Sequence, residues 1–259
     1  MEKLTIVKVG GKVVENENSL KKLLIDFTSI NGLKLLVHGG GNIATDIATK
    51  LNLKVEMVDG RRITNKEMLE VVTMVYGGLV NKKIIAGLQA HGCNSVGLTG
   101  ADLNIIIAEK RPVKTIDYGF VGDIKKVNAD GLVMLLNNNI IPVIAPLTHD
   151  CKGQLLNTNA DDMTNAVAEA LSSYFKVRLI FCFDKKGVML NQNDESTVIP
   201  ILDKNKFSEL VKKGIVNAGM IPKLENGFKS LDNGVSEVFI TDVNSFSLEK
   251  PIGTELIKN

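Results

Sequence analysis

A chain of 259 residues, 44% of them hydrophobic and 23% charged, can bury a large core as one α/β domain or two smaller ones. Its 31 basic and 29 acidic residues are interspersed and leave a net charge of +2, so composition calls for neither nucleic acid nor a membrane surface as a partner. Cys93, Cys151 and Cys182 lack C-x-x-C spacing, and Cys93 and Cys182 lie in or beside apolar runs; they read as buried, reduced thiols suited to the cytoplasm.

The first strand is expected over 4–9, so close to Met1 that no signal or transit peptide fits before it. Its run Leu4-Thr5-Ile6-Val7 ends in Lys8-Val9-Gly10-Gly11, and a helix is expected over 16–28. The second strand, 33–38, ends in His38-Gly39-Gly40-Gly41-Asn42 and leads into a helix over 42–52. Each segment reads as strand, tight turn, helix. Such a turn bares backbone N–H groups, and the following helix points its positive end at the same spot, so anions bind there. Two of these turns, with a lysine at a strand end, suggest two anionic groups brought face to face, which is the geometry of phosphoryl transfer. Neither is a P-loop and neither is a Gly-x-Gly-x-x-Gly dinucleotide turn. Singly, each also reads as plain turn glycines.

Gly60-Arg61-Arg62-Ile63-Thr64 comes next, ahead of a long helical stretch at 66–91. Strands are expected at 93–98, 104–109 and 140–145, with short hairpin-like pieces at 119–124 and 150–153. The apolar run 140–146 is far too short to span a bilayer. Asn157-Thr158-Asn159-Ala160-Asp161 opens a helix over 160–174, with Asn159 as its N-cap, Asp161 in the first turn and Asn157 free to face a ligand. A strand at 177–183 follows, then helices at 205–213 and 223–232, the latter begun by Pro222-Lys223, and a strand at 236–241. Alternation of this kind predicts a three-layer αβα sandwich around a largely parallel sheet. No linker divides it, so residues 1–259 form a single domain, with a lobe boundary near 175. Arg62 alone could be a surface arginine, Asn159 a cap only, and Lys223 a solvated charge.

In order along the chain, Lys8-Val-Gly-Gly, His38-Gly-Gly-Gly-Asn, Gly60-x-Arg62-Ile-Thr64, Val96-Gly-Leu-Thr-Gly-Ala-Asp102, Gly119-Phe-Val-Gly, Asn157-x-Asn159-Ala-Asp161 and Gly219-Met-Ile-Pro-Lys223 resemble the N-acetylglutamate kinases of the amino acid kinase family. The resemblance spans nearly the whole chain. It implies ATP-dependent phosphorylation of the γ-carboxylate of an acylated glutamate, on the way to ornithine and arginine. Lys8 and Lys223 would neutralise the transferring group, with Asp161 orienting both. Gly10 and Gly11 would donate to nucleotide phosphates, and Gly40 and Gly41 on the acceptor side. Arg62 and Asn157 would hold the acyl-amino acid, the arginine through a forked contact to a carboxylate. Asp184, Gly187 and Val188, with Ile215, Val216 and Asn217, would meet adenine and ribose. Magnesium would be held mainly by ATP oxygens and water, with no metal ligands from the protein. An acceptor carboxylate is already ionised, so no general base is needed, and His38 reads as structural.

Two departures stand out. Arg61 replaces a small apolar residue, and Asp184-Lys185-Lys186-Gly187 is unusually basic. Arg61 either points to solvent or meets an anion, and the second case favours N-succinyl- over N-acetylglutamate. A non-catalytic amino-acid or nucleotide sensor of the same fold is the rival of another class, although both lysines and Asp161 argue against it. The resemblance further implies a cytoplasmic homodimer built in part on 66–91. No arginine-responsive N-terminal helix precedes the first strand, so a hexamer and strong arginine inhibition are not expected.

Overall fold

A computed structural model of the chain describes residues 1–58, 60–216 and 220–258. In chain order the elements are β1 (Lys3–Val9), α1 (Gly11–Glu15), α2 (Glu17–Thr28), β2 (Leu33–His38), α3 (Gly41–Lys50), β3 (Met57–Val58), β4 (Arg61–Arg62), α4 (Lys66–Val72) and α5 (Asn81–Ala90). There follow β5 (Ser95–Leu98), β6 (Ile106–Lys110), β7 (Gly122–Val127), α6 (Ala129–Asn137), β8 (Ile141–Ile144), β9 (Leu147–His149), β10 (Leu155–Asn157) and α7 (Ala160–Leu171). The chain closes with β11 (Lys176–Phe183), β12 (Ile201–Leu202), α8 (Lys204–Lys212), α9 (Ile221–Asp232), β13 (Glu237–Asp242) and β14 (Gly253–Leu256).

Among the described residues, eight strands form the central sheet in the order β12-β14-β13-β11-β1-β2-β8-β5. From β13 to β5 all neighbours are parallel, while β14 runs antiparallel to β13. Strand β1 sits in the middle and is apolar on both faces, as a parallel strand covered on both sides must be. Leu4 and Ile6 belong to one core, with side chains of α6, α7, α8 and α9. Val7 and Val9 belong to the other, with side chains of α1 to α5. The three layers are helices, sheet, helices.

Chain order reverses between β1 and β11: β2 lies on one side of β1, and the chain later returns on the other. In open α/β sheets, ligands bind beyond the carboxyl ends of strands at such a point. Lys8, His38 and Phe183 all stand at these ends.

Residues Lys66–Ala90 form one continuous helical stretch, with wide π-type turns from Thr73 to Val80 between α4 and α5. It is long and apolar enough to cross a membrane by length and composition. Its Met68, Val72, Tyr76, Ile84 and Leu88 are nonetheless packed into the second core.

Several elements depart from the sequence reading. The strand expected at 104–109 does not join the central sheet; as β6 it pairs with β7 and β9 in a second, four-stranded sheet, β10-β9-β6-β7. The hairpin-like piece at 150–153 is the turn between β9 and β10. Helix α6 was not anticipated, because its run Leu132-Val133-Met134-Leu135-Leu136 is continuously apolar and lacks helical periodicity. The two-residue strand β12 is too short to carry a pattern.

Candidate active site

Period-two alternation fixes where Lys8 points. It follows Leu4 and Ile6 on the same face of β1, so its side chain leaves the sheet toward α7 and α9. There Asp161, in the first turn of α7, forms an ion pair with it at 2.7 Å, and both side chains are largely buried. Asn159 caps α7 by accepting from the Asp161 and Asp162 N–H groups at 2.8 and 3.1 Å, which sets the start of the helix and hence the carboxylate. Lys223 arrives on the first turn of α9, where Pro222 stands at the start.

Phe183, the last residue of β11, unites the two cations. Lys8 Nζ lies 4.9 Å and Lys223 Nζ 4.8 Å from its ring centroid. An aromatic face adds about 0.5–1 kcal/mol per cation at exposed sites and more when water is excluded. It does so without any titratable group. Burial pushes the Asp161 carboxyl up, but the charges of Lys8 and Lys223 outweigh it and hold the pKa below the ordinary value. Burial lowers the pKa of Lys223, and Lys8 adds to this, while Asp161 and Asp184 oppose it. Two cations and one anion thus form a preorganised cluster able to receive a dianionic phosphoryl group.

Beside this cluster is a cleft of about 170 Å³, lined in part by Gly40, Gly41, Arg62 and Asn157, the four residues expected on the acceptor side. Arg62 is buried, and its Nη2 donates to Gly41 O and to Thr45 Oγ1, both at 2.8 Å. These contacts, with a Tyr76 hydrogen bond, fix the guanidinium at the cleft, where its five N–H donors exceed the partners it has and suit a carboxylate. Asn157 Nδ2 donates to Thr64 Oγ1 at 2.9 Å, which leaves Oδ1 as an acceptor for an amide N–H. Tyr76, from the π-type turns, packs on Gly40 so closely that a Cβ there would lie 3.1 Å from its ring. Such wide turns recur at functional sites.

A second slot, of about 50 Å³, is lined by Gly187, Val188, Ile215 and Val216, all expected at the nucleotide base, together with Met189 and Met220. Its walls are mostly apolar. Val188 N–H donates to Thr254 Oγ1 at 2.8 Å and its carbonyl accepts from Ile199, so a base here would be held by packing and not by that peptide unit. Asp184 instead pairs with Lys12 at 2.8 Å, near the surface; burial raises the Asp184 pKa, but the Lys12 hydrogen bond and charge bring it below the ordinary value. Asn217 and Gly219 lie outside the described residues.

Gly10 departs from its expected role. Its N–H already donates to the Cys182 carbonyl at 3.0 Å, joining the turn to β11. Its missing Cβ matters instead, since one would sit 3.1 Å from Phe183 Cδ1. Gly11 and Gly41 are the first residues of α1 and α3, where backbone N–H groups have no partner within the helix.

His38 is fully buried with Nδ1 2.8 Å from the Gly39 carbonyl, and Nε2 accepts from Asn81 Nδ2 at 3.2 Å. Burial drops its pKa to about 4, so at neutral pH it is an uncharged structural hydrogen-bonding group. Val96-Gly-Leu-Thr-Gly-Ala-Asp102 is likewise structural at its end, where the Asp102 carboxylate accepts from Thr99 N and Oγ1. Sequence reasoning missed Phe183, which reads as core, and Asp162, which has no motif of its own. Arg61 does not simply point to solvent: it lines the cleft and pairs with Asp162 at 3.1 Å.

Residues 3–242 match the amino acid kinase family. The chain is 60% identical to the acetylglutamate kinase of Phocaeicola vulgatus, over 93% of each chain. It is 49% identical to that of Cytophaga hutchinsonii over the full length of both. Among solved structures, a Streptococcus mutans protein superposes with a TM-score of 0.79 at 27% identity, covering 98% of each chain. With a match across most of its length and this fold beneath it, the chain belongs to the amino acid kinase family and is closely related to its acetylglutamate kinases.

Proposed function

We propose that the chain transfers the γ-phosphoryl group of ATP to the side-chain carboxylate of N-acetyl-L-glutamate, giving N-acetyl-L-glutamyl 5-phosphate for arginine and ornithine biosynthesis. The observation that carries this is the Lys8–Asp161–Lys223 cluster beside a cleft lined by Arg62 and Asn157, in a chain so close to acetylglutamate kinases. Arg62 takes a carboxylate of the acceptor and Asn157 Oδ1 takes the amide N–H. Lys8 and Lys223 receive the charge spread over the equatorial oxygens of a loose transition state. Asp161 holds Lys8 in an ion pair and opposes the lowering of the Lys223 pKa by burial. No proton is abstracted from the acceptor, and catalysis consists of alignment and charge stabilisation.

ATP phosphates lie between the Gly11 turn and Lys223, with adenine in the apolar slot at Val188 and Val216. Magnesium, when bound, would neutralise charge on the ATP phosphates, with the nucleotide and water supplying most of its ligands. Residues up to about 175 carry the acceptor site together with the Gly11 phosphate turn, and the remainder carries Lys223 and the adenine slot. The working enzyme is a cytoplasmic homodimer that uses the exposed Met74 and Leu79 on the 66–90 helix.

A second reading, N-succinylglutamate as acceptor, is favoured by the presence of Arg61 at the cleft, although Asp162 already supplies that arginine with an anion. Incubation with ATP, magnesium and a panel of acylated and free amino acids, with hydroxylamine trapping the acyl phosphate, tests both. N-acetylglutamate should react and free glutamate hardly at all, because its ammonium replaces the neutral amide the site recognises. Equal use of free glutamate would refute the assignment, and no turnover with any acceptor would favour a sensor. If Arg61→Leu leaves the succinyl-to-acetyl ratio of kcat/KM unchanged, Arg61 plays no part in choosing the acyl group.

A further inference from the structure

Asp161 and Asp162 are adjacent in the first turn of α7, and successive side chains on a helix diverge by about 100°. Their carboxylates therefore serve different neighbours. Asp161 faces the lysines. Asp162 accepts from Arg61 Nη1 on Oδ2 and from Asn226 Nδ2 on Oδ1, both at 3.1 Å. Arg61 stands on β4 and lines the acceptor cleft. Asn226 lies three residues beyond Lys223 on α9, hence on the same face of that helix. One carboxylate thus joins the segment that covers the acceptor to the helix that carries the second lysine.

The acceptor segment needs such a tie. Strands β3 and β4 are two residues each, pairing Met57 with Arg62 and Val58 with Arg61, with Ile63 N–H donating to the Glu56 carbonyl and Thr64 bridging to Gly119 just beyond. A hairpin this short is not stable by itself; Arg62 ties it to α3, the Thr64 backbone ties it to the Gly119 segment, and Arg61 is its tie to α7.

We infer that Asp162 is a positioning residue that couples acceptor binding to the alignment of Lys223. The inference rests on the functional reading above. With the acceptor bound and the hairpin settled, Arg61 holds Asp162, and Asp162 holds α9 through Asn226. Nucleotide bound against Lys223 reaches the hairpin by the same route in reverse, since coupling between two sites is reciprocal.

The test is calorimetric titration of N-acetyl-L-glutamate with and without saturating magnesium and the imido analogue of ATP. Wild type should bind the acceptor at least about five-fold more tightly with the analogue present, within the usual range of coupling between sites. In Asp162→Ala this ratio should fall to about one. Arg61→Met and Asn226→Ala each cut one side of the tie and should abolish the ratio too, with Arg61→Met alone also weakening acceptor binding in the absence of analogue. These two decide the matter if Asp162→Ala does not fold. A wild-type ratio of one, or variants that lose thermal stability yet keep the wild-type ratio, would overturn the inference and make Asp162 only a structural tie. Failure of the functional reading looks different: no acceptor binding and no acyl hydroxamate from the wild-type protein.

Discussion

Lys8 and Lys223 converge on the same ring, Lys8 pairs with Asp161 and the Lys223 charge also acts on that carboxylate, so losing either leaves Asp161 with one of these two counter-charges and the fold with its cores intact. Lys8→Ala and Lys223→Ala should each lower kcat by roughly 10²–10³, the usual loss when one preorganised donor to developing charge is removed. Near-full turnover of Lys8→Ala, with circular dichroism unchanged, would dismiss the mechanism. His38 gives a second prediction. Its folded pKa of about 4 is below the ordinary 6.5, so the unfolded chain binds the extra proton and the folded state is favoured above pH 6.5. That stability is lost as pH falls from 6.5 toward 4, by about 3 kcal/mol in all. Denaturant melts of His38→Asn should lack this component; an identical pH profile would show that the buried imidazole is not its source. Lys8 was legible in the sequence as a lysine at a strand end beside a glycine turn, whereas Lys223, Arg62 and Asn157 took their expected roles from the family resemblance; the structure brings the two lysines to one ring and Arg62 and Asn157 to one cleft. Phe183 was not legible, since an aromatic at the end of an apolar strand is indistinguishable from core until its neighbours in space are known.

Among the elements, the segment that ends at Gly119 shows how backbone shape supports the acceptor side. Gly119 has φ +69°, and a Cβ there would lie 2.2 Å from the Thr64 carbonyl oxygen. Thr64 in turn holds Asn157 through its hydroxyl. Gly119→Ala should therefore destabilise the protein, by roughly 1–3 kcal/mol for the backbone conformation alone. It should also raise KM for the acceptor more than KM for ATP, because Asn157 moves with Thr64. Unchanged melting and unchanged acceptor KM would show that Gly119 does not support the site. The long helices were readable from their period and, before α7, from the cap at Asn159; the Asn65 cap of α4, whose side chain accepts from Met68 N–H, was not anticipated. The second sheet was harder to read: β9 and β10 are three residues each, too short for alternation to declare itself, and they are fixed by pairing with partners distant in sequence.

At the scale of the molecule, Met74 and Leu79 remain exposed on the helix that otherwise fills the second core. Light scattering should return the mass of a dimer, and Leu79→Lys should shift it toward a monomer by placing a charge in an apolar contact. A monomeric wild type would end that proposal. The central reversal of chain order has a consequence of another kind. Strand β1 pairs with β2 on one side and β11 on the other, so Lys8 stands on the seam between two halves. The hairpin, Arg62 and Asn157 come from before the seam's second strand, and Lys223 and the apolar slot come from after it. On the proposed function, the acceptor site would be written in the first stretch and most of the nucleotide site in the second, with the Gly11 turn and Lys8 at the seam between them. Such a plan would be modular: a new acceptor would need changes only in the hairpin and around Asn157, while Lys8, the Gly11 turn and the second stretch are inherited unchanged.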